Sequence, residues 1–247
     1  MYYVGVDEAG RGPMIGPLVV TAIAIPEDDI QLLEEHKITD SKKVTKKNRE
    51  MSFELIEKYS KERNWKIHTT ICDAIEIDLA METSNLNILE TELFAKSINL
   101  LNLNSEGKGE IILDACDIDE KRFGDRVSKK IHKWPWNSWK LISKHKADST
   151  HRIVGAASIV AKVTRDKIIK EIGKEIGLDI GSGYPSDPKS KSALIELCNG
   201  DTPHNCLRWN WSSIRKYWIQ NKKIKIPKRH YSDANWKNVN QHRLSEF

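Results

Sequence analysis

The chain has 247 residues, 39% of them hydrophobic and 30% charged, which suits one large domain with an ordinary buried core. Forty Lys and Arg against 35 Asp and Glu give a formal net charge of +5, a mild basic bias that permits a polyanionic partner without demanding one. No apolar run is long enough to cross a bilayer, the four cysteines form no CxxC pair or disulfide framework, and no signal-peptide pattern precedes the first strand, so a cytoplasmic protein, with nothing calling for more than a monomer, is expected.

Tyr2 to Asp7 reads as a strand, and the continuously apolar run Ile15 to Pro26 as a second one lying centrally in a sheet. Thr45 is placed to cap a helix in which Met51, Leu55, Ile56 and Tyr59 recur at helical spacing. WKIHTTICDA alternates as a third strand, and LNILETELFAKSINLLNL is an amphipathic helix. Ile111 to Leu113 is a short buried strand ending at Asp114, and WKLISKHKADS a strand running out into a loop. HRIVGAASIVAKVTRDKIIKEIGKEIG is the longest helical pattern, with Ile153, Ala157, Val160 and Val163 as its buried stripe. GSGYPSDPKS is a loop by composition. From about Lys189 the pattern is helical without strands, and from Asn221 basic, polar and poorly ordered. The expected units are a catalytic domain (1–188), a helical C-terminal region (189–220) and a flexible basic tail (221–247), on an α/β architecture with a mixed sheet.

In open α/β sheets functional groups collect outside the carboxyl ends of strands, where Asp7, Glu8 and Asp114 all fall. Converging carboxylates repel, and a divalent cation such as Mg²⁺ or Mn²⁺ compensates them; two such ions about 4 Å apart serve phosphodiester cleavage. Turn chemistry accounts for Asp7-Glu8 as well as metal ligation does, and a solvated turn accounts for Asp114, Asp117 and Asp119 better, Asp114 being the best ligand candidate of the three because it directly follows the apolar run. Asp148 reads as a cap of the long helix, a metal ligand, or both, and Asp166 as solvated or ion-paired. Gly10-Arg11-Gly12 is a plain turn or an anion cradle. Lys42, Lys43, Lys144 and Lys146 are surface groups able to meet phosphates, and Tyr184 could stack on a sugar or base or pack over the core rim. Trp134 to Trp139 (WPWNSW) fits strand and core packing with partial exposure.

Six stretches, GVDEAGRGPMIGPLVV, TDSKK, LDACDID, KHKADS, GAASIVAKVTRD and GSGYPSDP, together resemble the successive motifs of type 2 ribonuclease H, ribonuclease HII, in their order and approximate spacing from Val4 to about Pro188, with an archaeal flavour. The resemblance implies a ribonuclease H-like fold: a central mixed sheet flanked by helices, plus a helical C-terminal region. It implies an endonuclease dependent on Mg²⁺ or Mn²⁺, two ions with substrate bound. The RNA strand of RNA–DNA hybrids would be cut, as would duplex DNA 5′ to a single embedded ribonucleotide, leaving a 3′-hydroxyl and a 5′-phosphate, in the removal of RNA primers and misincorporated ribonucleotides. It carries the four family carboxylates onto Asp7, Glu8, Asp114 and Asp148. The sensing of the ribose 2′-hydroxyl falls to Gly10, Arg11 and Gly12, and packing on the neighbouring deoxyribose to Tyr184. Lys42, Lys43 and Lys146 would then position the backbone without reading sequence.

Gln241, Leu244 and Phe247 fit Q-x-x-L-x-x-F, similar to a motif that docks on the replication sliding clamp, though such motifs usually end in two aromatics. Chance spacing in a basic tail explains it equally well. Rival readings are a sugar or acetate kinase-like enzyme, for which further glycine-rich phosphate loops are lacking, a non-catalytic hybrid-binding module, which needs no cluster of four acids, and a general nuclease or transposase, to which the 2′-hydroxyl would be irrelevant.

Overall fold

The structure, a computed structural model, describes residues 1–38 and 45–230. β1 (Tyr2–Ala9) turns Val4 and Val6 to one face of the sheet and Tyr3 and Gly5 to the other, as the period of two requires. β2 (Leu18–Pro26) is buried on both faces and divides its side chains between the same two clusters. It begins three residues later than the apolar run suggests, because Pro17 has no N–H for a ladder; Ile15 instead makes an isolated bridge to Leu207.

After α1 (Ile30–Glu35), α2 (Lys46–Glu62) starts where Thr45 accepts a hydrogen bond from the Asn48 N–H at 3.3 Å, as expected. Its core face is Ser52, Phe53 and Ile56; Met51 is 54% exposed, which corrects the expected face by a fraction of a turn. β3 (Lys66–Cys72) leads into α3 (Ala74–Thr83), whose start is a reciprocal capping box between Asp73 and Glu76. α4 (Leu86–Asn99) is capped by Asn85, β4 spans Lys108–Asp114, and α5 (Glu120–Ser128) is capped by Asp119. β5 (Ser138–Lys144), α6 (Ala147–Thr150) and the 25-residue α7 (Arg152–Ile176) follow. α8 (Pro188–Leu197) and α9 (Ser212–Lys222) complete the described elements.

The sheet order is β3-β2-β1-β4-β5, antiparallel among the first three strands and parallel from β1 to β5. α4 and α5 cover one face, where Phe94 and Phe123 meet edge-on with centroids 5.1 Å apart. α7 crosses the other face with α1 and α2, burying Ile153, Ala157, Val160 and Val163 as the spacing predicts. A Cβ on Gly5 would lie 2.3 Å from the Ile153 carbonyl oxygen, so this glycine lets α7 settle directly on β1. Trp136 and Trp139 are buried beneath α4 and α5, in agreement with the packing reading of WPWNSW.

The C-terminal helices share a third cluster with Met14 and Ile15 of the loop between β1 and β2. Of the tail expected to be flexible, residues 231–247 lie outside the described residues; within the described part Arg229 is buried and donates to Asp78, Asn205 and the Leu207 carbonyl. A buried aspartate needs such donors, and the basic segment supplies one. Among the described residues no helix is long and apolar enough to cross a membrane.

Candidate active site

β1 and β4 run parallel with Val6 opposite Leu113, so Asp7 and Asp114 come next, side by side, at the carboxyl ends of the two strands. α6, just beyond β5, adds Asp148. One carboxylate oxygen from each of Asp7, Asp114 and Asp148 lies within 4.8 Å of the others. The Ala147 N–H donates to Asp114 Oδ1 at 2.9 Å and so ties the β5–α6 connection to the end of β4. Asp7 is buried, and burial above all, then the charges of Asp114 and Glu8, raises its pKa well above the usual carboxylate range; hydrogen bonds from the Ser158 hydroxyl and the Glu8 N–H oppose the rise.

Strand alternation sends Glu8 to the opposite side of β1. There its carboxylate gathers with Glu90 of α4 and the Cys116 thiol. Arg11 forms an ion pair with Glu90, and its Nη2 donates to Asn87 Oδ1 at 2.8 Å. Burial pushes the Glu8 pKa up against the pull of Arg11 and Lys162, pushes Glu90 to about 8 against Arg11, and raises the Cys116 thiol well above its usual value. The second group therefore already holds a cation, the Arg11 guanidinium.

Gly10 has φ +97°, and a Cβ there would lie 2.5 Å from both Arg165 Nε and the Pro17 carbonyl oxygen, so the turn admits only glycine at this point. Arg165, buried in α7, donates to the carbonyls of Ile15, Pro17 and Ser182 and lies under the Tyr184 ring at 5.7 Å. It thereby fastens the loop after β1 to the loop carrying Tyr184, and a Cβ on Gly12 would come within 3.4 Å of that ring. Lys162, one helical turn before Asp166, donates to Ser158 Oγ at 3.0 Å, which places an ammonium one hydroxyl away from Asp7. Asp7, Glu8, Gly10, Asp114, Asp148, Lys162, Arg165 and Tyr184 line a single cleft of about 370 Å³, with Arg49 and Asp166 facing each other at 3.9 Å on its rim.

A ribonuclease HII family model matches residues 4–214. The chain belongs to the ribonuclease HII family. A ribonuclease HII of Thermococcus sibiricus is 40% identical over 219 residues, covering 86% of this chain and 89% of that one, and one of Methanococcus maripaludis is 44% identical over 191 residues, covering 77% and 76%. The crystal structure of ribonuclease H2 from Pyrococcus horikoshii superposes with a TM-score of 0.77 at 36% identity, over 91% of this chain and all of that one. The ribonuclease HII of Archaeoglobus fulgidus, solved in complex with PCNA, gives 0.71 at 28% identity, over 95% of this chain and all of that one. Bst-RNase HIII, solved in complex with Mn²⁺, gives 0.74 at 17% identity and shares the fold. The chain is thus a type 2 ribonuclease H, an endonuclease of a divalent-metal-dependent family, on the ribonuclease H-like fold expected from its motifs.

For a ribonuclease HII, the sequence-predicted residues separate into three sets. Asp7, Glu8, Gly10, Asp114, Asp148 and Tyr184 share the cleft, with Gly12 against the Tyr184 ring. Arg11 sits in the turn but sends its side chain to Glu90, and Lys146 is exposed ahead of α6 without lining the cleft. Lys42, Lys43, Gln241, Leu244 and Phe247 lie outside the described residues. Asp148 does not cap the long helix: it sits in the first turn of α6, and His151 occupies the N-cap of α7, its ring hydrogen-bonded to Thr150 rather than to the α7 backbone. Asp117 is no solvated turn residue either; it is buried and ion-paired with Arg122 and Arg126, and hydrogen bonds from Arg122 and the Ile118 N–H depress its pKa to about 2. Glu90, Ser158, Lys162, Arg165 and Arg208 escaped the sequence reading, although the i, i+4 spacing of Ser158 and Lys162 put both on one face of a helix.

The residues fit a hard divalent cation. Asp7, Asp114 and Asp148 offer an all-oxygen set at mutual ligand spacing, and Glu8 Oε2 is buried with no hydrogen-bond partner among the described residues.

Proposed function

We propose that this ribonuclease HII hydrolyses the RNA strand of RNA–DNA hybrids and cuts duplex DNA 5′ to single embedded ribonucleotides, leaving a 3′-hydroxyl and a 5′-phosphate. The observation that carries the reading is the juxtaposition of three carboxylates within 4.8 Å with a glycine turn packed against an exposed tyrosine ring, all on one cleft. Asp7, Asp114 and Asp148, with Glu8 completing the set, hold Mg²⁺ or Mn²⁺, two ions once substrate is bound. Such ions supply a nucleophile from water at neutral pH and neutralise charge on the scissile phosphate and leaving oxygen. Ser158 fixes the orientation of Asp7, and Lys162 keeps a positive charge beside the carboxylates. The turn Gly10 to Gly12 tests for the 2′-hydroxyl, the group that separates RNA from DNA, while Tyr184, 41% exposed, packs on the adjoining deoxyribose. Lys42, Lys43 and Lys146 position the backbone. Removal of RNA primers and misincorporated ribonucleotides follows from that activity, and we read the protein as a cytoplasmic monomer.

The test is product mapping on an end-labelled duplex with one ribonucleotide, beside a long hybrid and an all-DNA duplex, in Mg²⁺ and in Mn²⁺. A cut 5′ to the ribonucleotide with the stated ends is expected; equal cutting of all-DNA would refute the ribose check.

A sliding-clamp partner is favoured by the Archaeoglobus fulgidus relative solved with PCNA. Gln241, Leu244 and Phe247 are the proposed contacts. Deleting residues 241–247 should abolish clamp capture and leave cleavage of short duplexes unchanged; equal capture with and without them would end the idea.

A further inference from the structure

The Gly10-Arg11-Gly12 turn is held from behind by a segment 197 to 199 residues away in sequence, a separation that only the tertiary fold can bridge. Arg208 is fully buried and aims its whole guanidinium at backbone: Nη2 donates to the Gly10 carbonyl at 2.6 Å, Nη1 to the Arg11 carbonyl at 3.1 Å and Nε to the Gly16 carbonyl at 2.9 Å. The Trp211 indole N–H donates to the Gly12 carbonyl at 3.1 Å, and its ring lies 4.7 Å from the Arg208 guanidinium. Every carbonyl of the turn is therefore taken by two side chains of one segment.

That segment is itself anchored. Asp78 of α3 accepts from the N–H groups of Trp209 and Asn210 at 2.7 and 2.9 Å and from Arg229 at 3.2 Å. Backbone bonds from Arg208 N–H to the Met14 carbonyl and from Gly16 N–H to the Cys206 carbonyl stitch it to the rest of the loop.

Peptide planarity gives this arrangement its consequence. The carbonyl of one residue and the N–H of the next point in opposite directions across the plane. Fixing the Gly10 carbonyl fixes the Arg11 N–H, which bonds the Glu8 carboxylate. Fixing the Arg11 carbonyl fixes the Gly12 N–H. Pro13 has none to fix. The fork of Arg208 thus sets two N–H directions at once, something a single ammonium cannot reproduce.

We propose that Arg208, assisted by Trp211, is a positioning residue for ribose discrimination: it aims the backbone of the Gly10–Gly12 turn at the sugar beside the scissile phosphate. The inference rests on the reading of that turn as the ribose sensor. It gives the C-terminal helical region a part in substrate choice as well as in packing.

The test compares wild type, Arg208→Lys and Trp211→Phe in the full chain with Mg²⁺. KM and kcat are measured on a duplex with one ribonucleotide, and an all-DNA duplex of the same sequence serves as competitive inhibitor, so that Ki(DNA)/KM reports ribose preference. Arg208→Lys should lower kcat about tenfold or more and bring the ratio to within about twofold of unity, with Ki for all-DNA unchanged. Trp211→Phe keeps a ring under the guanidinium and loses one donor, so a shift of about threefold in the same direction is expected. It decides the matter if Arg208→Lys does not fold, as judged by its melting curve. Variants that melt like wild type and keep both kcat and the ratio overturn the proposal, as does a Ki for all-DNA that rises in step with KM. A wild type with no ribose preference would instead refute the sensor reading, and the inference with it.

Discussion

Asp114→Asn should stabilise the metal-free protein while destroying its response to divalent ions. The ligand oxygens of Asp7, Asp114 and Asp148 lie within 4.8 Å of one another. At that spacing two unit charges repel by about 3.5 kcal/mol at an effective dielectric of 20, and by about 0.9 kcal/mol at that of water. Asparagine keeps the oxygen that accepts from the Ala147 N–H and removes the charge. Up to two repulsive pairs vanish, and the charge-disfavouring environment that raises the Asp7 pKa offsets part of that, which leaves a gain of about 1–3 kcal/mol. In a chain of this size that is roughly 2–12 °C in Tm. The pH dependence has a definite sign. Because the folded pKa of Asp7 is raised, the folded state binds more protons than the unfolded one above the ordinary carboxylate pKa, so this group's contribution is full at low pH and lost as pH rises through the raised value. The Asp114 charge is the second cause of that rise, after burial, so the variant's loss should be shallower. The assay is thermal unfolding with EDTA from pH 5 to 8, repeated with Mg²⁺ or Mn²⁺. Saturating ion should stabilise wild type by about 2.7 kcal/mol at a hundred times Kd and the variant hardly at all, so the metal-free gap between them should close or reverse. A variant that melts below wild type in EDTA at pH 7.5, or a gap between the two that does not widen with pH, would refute the repulsion argument.

Gly10→Ala meets both a left-handed backbone and the Arg165 guanidinium 2.5 Å away, so a loss of about 1–3 kcal/mol in stability and a greater-than-tenfold loss of cleavage are expected from denaturant melts and initial rates. Lys162→Met removes the donor to Ser158 and, after Arg11, the second of the charges that lower the Glu8 pKa. The rising limb of the pH–rate profile should move to higher pH, with partial return in Lys162→Arg; an unmoved limb would make Lys162 a packing residue only. Lys42→Ala should weaken duplex binding with a smaller salt slope and leave the ribose preference intact; an unchanged slope argues against a phosphate contact.

Much of the sheet was legible because its strands are long apolar runs: Leu18 to Pro26 is buried almost throughout, and α7 carries a stripe at helical spacing. The short helices were harder. α3 hides behind mixed composition, although Asp73 and Glu76 form a capping pair recognisable by spacing, and α5 follows an acidic turn whose Asp119 is its cap. The carboxylate cluster was readable because strand ends collect chemistry. The separation of Asp7 and Glu8 onto opposite faces follows from the period of two. Glu90 and Arg208 were beyond reach of local pattern, since they meet the turn after β1 from 79 and 198 residues away. Long-range pairing of polar side chains with backbone leaves no periodic trace in a sequence.

The most direct test of the central claim is cleavage of a labelled duplex carrying one ribonucleotide, with Mg²⁺ titrated from zero, for wild type beside Asp7→Asn. The account predicts a single cut 5′ to the ribonucleotide that requires the ion, is absent from the all-DNA duplex and falls by at least about a thousandfold in the variant. Ion-independent cutting, or Asp7→Asn cutting at the wild-type rate, would contradict it.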